Sequence, residues 1–162
     1  FPLARKGAQG QALKLKPGNN ARAEKLDTAF WADSFFRRRC LIPLTAWAEA
    51  EGERGAMTRT WLARPDGGLF AAAGIWRMSA EWGAVYSMVM TDSCGAAAEC
   101  HTRMPAVLAD ADWARWTDGT FEDALALCVP YTGEILLDRT RDPWAGGAAK
   151  TAAARPEQPS LF

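Results

Sequence analysis

The 162-residue chain lacks net charge: its 19 lysines and arginines balance its 19 aspartates and glutamates. No global field draws such a protein to nucleic acid, so any binding of that kind rests on a local basic patch. Cysteine is sparse. Cys40, Cys94, Cys100 and Cys128 are scattered, and none forms a C-x-x-C pair of zinc spacing. They read as structural free thiols in a reducing compartment, and no metal or cofactor is expected. No signal peptide and no apolar run long enough to span a bilayer is present. A soluble cytoplasmic protein is expected, with no membrane partner. No internal repeat is visible. Histidine is the scarcest of the chemical residues, with His101 alone.

What is there suits one domain with one core. About half the residues are apolar and about a quarter charged, and the eight tryptophans are many for this length. An indole is costly surface unless it packs or stacks, so some of these face a flat ligand or a core.

Along the chain, 6–11 reads as a loop and Ala12 to Lys16 as a short strand, followed by a turn at Pro17-Gly18-Asn19. Thr28 is placed to cap a helix reaching Phe35 or Arg38. Cys40 to Leu44 reads as a strand, and Ala46 to Glu49 as an extended segment with Trp47 and Glu49 on one face. Thr58 to Ala63 and Leu69 to Trp76 read as a hairpin around Pro65-Asp66-Gly67-Gly68. Further strands are expected at 84–91, 106–108 and 134–138. Helical pieces are expected at 96–99, after Asp110 and at 121–127. The fold class is α+β, a curved, mostly antiparallel β core with peripheral helices. From Gly146 the chain is Ala, Gly, Lys and Pro and is expected to be disordered, so the domain is 1–145 and the tail 146–162.

The polar candidates are few. Asn20 offers an amide, Glu49 a carboxylate and His101 an imidazole that exchanges protons near neutrality. A carboxylate and an imidazole in one cleft can divide acid and base roles, while an asparagine holds an oxyanion or a sugar hydroxyl. Singly, Asn20 also fits a turn, Glu49 a solvated charge and His101 a core hydrogen bonder; spacing alone does not bring them together. Arg22 and Arg103 flank these residues and suit phosphate. Arg37, Arg38 and Arg39 end a predicted helix, where positive charge also suits the dipole.

Six stretches carry a resemblance. They are Asn20-Ala21-Arg22-Ala23-Glu24, Arg37-Arg38-Arg39-Cys40-Leu41-Ile42-Pro43, Trp47-Ala48-Glu49, Ala73-Gly74-Ile75-Trp76, Met90-Thr91, and His101 through Leu108. In that order they resemble the SRAP family, the SOS-response-associated peptidase domains also described as abasic-site processing proteins. The resemblance implies binding of single-stranded DNA and capture of abasic sites by an N-terminal cysteine. The amine of that cysteine condenses with the open sugar aldehyde, and its thiol closes a thiazolidine. By the same resemblance, Asn20 positions the cysteine or sugar, Glu49 assists ring opening, and His101 acts as acid or base. The resemblance also implies that Arg22 and Arg103 hold flanking phosphates and that Trp47 and Trp76 pack, or stack, around the site; the Arg37–Arg39 run is expected to line the same DNA groove.

The chain departs from the pattern. It begins Phe1-Pro2-Leu3, its four cysteines are internal, and Ala48 and Ala50 flank Glu49. A missing N-terminal segment bearing the nucleophile is expected, or else a module that binds single strands without reacting. A cysteine peptidase limited to removing its own initiator methionine is the third reading. The last residues, Gln158-Pro159-Ser160-Leu161-Phe162, resemble the peptides by which bacterial repair proteins hold the DNA sliding clamp. There Leu161 and Phe162 would fill an apolar pocket and Gln158 would bond at its rim.

Overall fold

The computed structural model describes residues 1–6 and 8–144. The tail with Gln158, Leu161 and Phe162 lies outside the described residues. Among those described, strands dominate and form three sheets.

The largest sheet has six strands: β3 (Asn20–Arg22), β4 (Arg39–Leu44), β7 (Phe70–Ser79), β8 (Gly83–Asp92), β9 (Arg103–Pro105) and β10 (Val107–Leu108). A three-stranded sheet follows the order β11 (Leu136–Pro143), β6 (Thr58–Ala63), β5 (Ala46–Glu51). A third sheet is the ribbon of β1 (Pro2–Lys6) and β2 (Ala12–Pro17). Every pairing among the described residues is antiparallel except that of β3 with β8. The architecture is the expected α+β one, with a curved, mostly antiparallel core.

Strand β7 is the spine of the large sheet. One edge pairs with β4, and the other pairs first with β10 and then with β8. Its segment Phe70–Ile75 is buried throughout, and small residues make that feasible. Gly74 shows why. A Cβ there would meet Ile42 Cγ1 at 2.7 Å, Ile42 Cδ1 at 2.8 Å and Cys40 Sγ at 2.9 Å, so side chains of β4 occupy the space a larger residue would need.

One face of this sheet buries Ala73, Ile75 and Val89 against Phe35, Leu26 and Trp116. Phe35 lies on α1 (Ala32–Arg37) and Trp116 on α3 (Trp113–Asp118). The Trp116 indole N–H donates to the Cys40 carbonyl at 2.9 Å, which satisfies the one polar atom of a fully buried ring. A second cluster joins Trp47 and Leu62 of the small sheet to Phe70, Met104 and Val107 of the large one. The two sheets are therefore fastened by apolar contact. Helix α4 (Phe121–Ala126) starts at a capping box in which Thr120 and Asp123 bond each other's backbone N–H groups.

Several expectations fail. Thr58–Ala63 and Phe70–Ser79 form no hairpin: β6 pairs with β5 and β11, while β7 belongs to the other sheet. The turn at Pro65–Gly68 therefore passes the chain between sheets. Thr28 caps no helix; its hydroxyl donates back to the Lys25 carbonyl at 2.6 Å, and α1 begins four residues later. Strand β1 (Pro2–Lys6) is not among the expected strands, and it takes in Lys6, the first residue of the expected loop.

Candidate active site

Four separate segments meet at one pocket of about 360 Å³, lined by Asn20, Arg22, Glu49, Met90, His101 and Arg103. The backbone explains each placement. Strand β3 runs parallel to β8, with Asn20 opposite Met88 and Arg22 opposite Met90. Side chains alternate along a strand. Ala21 is thus buried in the helix-side core while Asn20 and Arg22 point together to the other face. Glu49 stands on β5 opposite Thr60, two positions from Trp47 and on its face, as expected. His101 follows a single helical turn, α2 (Ala97–Cys100), and its N–H bonds the Ala97 carbonyl at 3.2 Å. Extended backbone at His101 then leads into β9, where Arg103 pairs with Asp92 of β8.

The imidazole is oriented by backbone. The Arg103 N–H donates to His101 Nδ1 at 3.1 Å. The Arg103 carbonyl oxygen lies 3.2 Å from the same nitrogen, so both backbone groups of Arg103 fix the position of the ring. Glu49 is half-buried, and this burial raises its carboxyl above the usual range, with His101 partly opposing the shift. A carboxyl so shifted keeps its proton closer to neutrality than a solvated one.

Arg103 is held by a residue that spacing did not single out. Its Nη1 and Nη2 donate to the two carboxylate oxygens of Glu24 at 2.9 and 2.7 Å, and Asp92 lies 3.5 Å from Nη1. The hydrogen bond from Arg103 lowers the Glu24 pKa, and the same bond raises that of Arg103. Glu24 takes the tip of the guanidinium fork and leaves the Nε edge without a partner among the described residues. A second carboxylate, Glu51, ties the walls together. It accepts from Arg139 Nε at 3.1 Å, while Arg139 Nη2 donates to Glu99 at 2.9 Å. Arg139 thereby clips the strand that bears Glu49 to the helix that delivers His101. Glu24 closes the Asn20–Glu24 stretch in sequence, but nothing there marks it, or Glu51, as an arginine partner.

Asn20, Glu49, His101, Arg22 and Arg103 are brought together; the other nominated residues among those described do not line the pocket. Trp47 is a core residue, 7% exposed and in edge contact with Phe70 at 6.2 Å, so its ring presents no face to a base. Trp76 is 38% exposed and lies outside the pocket, in an apolar groove with Ile42 and Tyr86, its partner on β8. Arg39 serves the fold. It donates to the carbonyls of Phe35, Trp116 and Gly119, joining α1 to the end of α3. Arg38 bonds Asp33 and the Trp76 carbonyl, and Arg37 lies near Asp33 at 3.6 Å. No cysteine lines the pocket. Burial raises the thiols of Cys40, Cys100 and Cys128, to about 11 at Cys100 and about 12 at Cys128.

The SOS response associated peptidase (SRAP) model matches residues 5–139. The chain belongs to the SRAP family. Membership connects it with the response to DNA damage. No curated protein matches the sequence. Solved structures share the fold. A protein from Bacteroides thetaiotaomicron superposes with a TM-score of 0.66 at 21% identity, over 74% of this chain and 57% of its own. One from Bordetella bronchiseptica gives 0.67 at 22%, over 75% and 64%. A phage-related protein from the same organism gives 0.62 at 19%, over 86% and 69%. This SRAP chain thus spans less than two thirds of the first two relatives. Among its described residues no helix is long and apolar enough to cross a membrane.

Proposed function

We propose that this SRAP domain processes abasic sites in single-stranded DNA. The observation that carries the reading is the meeting of Asn20, Glu49 and His101 in one pocket with Arg22 and Arg103 beside it. The lesion sugar is a cyclic hemiacetal. Opening it requires a proton on the ring oxygen and loss of a proton from the anomeric hydroxyl, giving an aldehyde and a free C4′ hydroxyl. Glu49, with its raised pKa, is suited to supply the first proton. His101, which lines the same pocket, is suited to take the proton that the anomeric hydroxyl loses. Asn20 holds the sugar or the attacking group, and the two arginines hold flanking phosphates.

An N-terminal cysteine completes the chemistry. Its amine adds to the aldehyde and water leaves as the imine forms; its thiol then adds across the imine to close a five-membered ring. Only an N-terminal cysteine offers both groups on one residue, and the four cysteines of this chain are internal. The test uses the protein made from its whole reading frame. A heat-stable adduct with abasic single-stranded DNA is expected on a denaturing gel. Glu49→Gln and His101→Ala should slow its formation while DNA binding persists. An unchanged rate in both variants would remove the pocket from the chemistry.

A further inference from the structure

A second cleft of about 520 Å³ shares Asn20 with the pocket and runs past Trp82 and Tyr86 to Phe1 and Pro17, at the foot of the β1–β2 ribbon. This ribbon has an unusual charge. Residues 1–22 contain Arg5, Lys6, Lys14, Lys16 and Arg22 and no aspartate or glutamate. The chain is neutral overall, so the remainder is acidic to the same extent. On β2, Lys14 and Lys16 alternate with Leu13 and Leu15, so the two lysines share one face. Lys6 stands opposite Ala12 and joins that face across the strands. All three lysines are exposed, and none forms a salt bridge among the described residues. Trp82 and Tyr86 are 43% and 62% exposed along the cleft.

We propose that the cleft and ribbon form a track for the DNA strand leaving the pocket, with Trp82 and Tyr86 stacking bases and Lys6, Lys14 and Lys16 binding phosphates. This rests on the reading of the pocket as a single-stranded DNA site. A neutral protein needs a local cationic surface to hold a polyanion, and the ribbon is the acid-free segment joined directly to β3. Successive same-face lysines stand about 6.6 Å apart, two strand rises, a spacing that neighbouring phosphates of an extended strand can follow. Aromatic faces tolerate any base, so the track carries no sequence preference.

The test is fluorescence anisotropy of the full chain with a single-stranded oligonucleotide across a salt series. Replacing Lys6, Lys14 and Lys16 together by glutamine should lower the slope of log K against log salt by roughly two, at about 0.7 per phosphate contact. The same positions changed to arginine should keep the slope. Trp82→Ala and Tyr86→Ala should each weaken binding roughly tenfold with the slope unchanged. Circular dichroism checks that every variant is folded. Binding by wild type with the same slope in the glutamine variant overturns the track and leaves the pocket reading intact. No binding by wild type overturns both. Lysine-dependent binding to phosphatidylserine vesicles without DNA binding assigns the ribbon to a membrane surface and also overturns the track.

Discussion

Gly74→Ala is the sharpest test of the packing that supports the site. The added methyl would lie 2.7–2.9 Å from Ile42 and Cys40, inside any ordinary contact distance. Inserting a methyl into a packed core costs about 1–3 kcal/mol. The stiffer unfolded chain returns about 0.4–1 kcal/mol. A net loss of roughly 1–2 kcal/mol is expected. Ile42→Ala alone removes both offending carbons and should cost about 2–5 kcal/mol through the cavity it leaves. In the double variant the methyl added at position 74 enters that cavity, while Cys40 Sγ still crowds it. Relief is therefore partial, and the double should be more stable than additivity by about 1 kcal/mol. Urea unfolding followed by tryptophan fluorescence measures all three variants, with equal m-values as the check on comparable unfolded states. A Gly74→Ala protein as stable as wild type would refute the argument. So would additivity within about 0.5 kcal/mol, because the clash and the cavity would then not share one space.

Glu49→Gln should raise stability at neutral pH while slowing adduct formation. The folded state raises this carboxyl's pKa, so its favourable contribution is complete below the ordinary glutamate pKa and disappears as pH climbs through the folded value. The gap in thermal midpoint between variant and wild type should accordingly open with rising pH and close in acid; a constant gap would contradict burial as the cause. Arg22→Ala should lower the salt slope of DNA binding by about 0.7, whereas Arg39→Ala should lower the urea midpoint and leave that slope alone. Thr120→Ala should cost about 1 kcal/mol through loss of the helix cap, read from the same urea curves. A peptide of residues 155–162 should bind the sliding clamp of the source organism in a calorimetric titration and fail to do so after Leu161→Ala with Phe162→Ala.

The pocket was largely legible as motif and barely legible as geometry. Asn20 and Arg22 sit at an i, i+2 spacing that any strand places on one face, so their partnership follows from local rules. Their meeting with Glu49 and His101 depends on two sheets joined through apolar contact, and only the resemblance implied it. The false hairpin has a physical cause. Alternation in Thr58–Ala63 fixes which face is buried but not which strand lies alongside, and a Pro-Asp-Gly-Gly turn serves a sheet change as well as a hairpin. Trp47 packs rather than stacks, and an indole near a candidate carboxylate has the same sequence signature whether it faces ligand or fills the core. The arginine run misled for a related reason. Charge suggested phosphate, but Arg39 spends its donors on backbone carbonyls that the ends of α1 and α3 leave open. Glu24 was in plain view, and its role depends on a partner 79 residues away.

That distance has a bearing on how the protein is born. Strand β3 leaves the ribosome before β8, yet among the described residues its one pairing is with β8, in parallel, and Arg103 reaches Glu24 across 79 residues. Contacts of such long range form slowly and cannot form before the later segment exists. Arg139, which clips the Glu49 strand to the His101 helix, arrives later still. A nascent chain can thus display Asn20, Arg22 and Glu49 without possessing a site. The pocket is assembled only when the domain is whole, and an unfinished chain holds its polar residues apart.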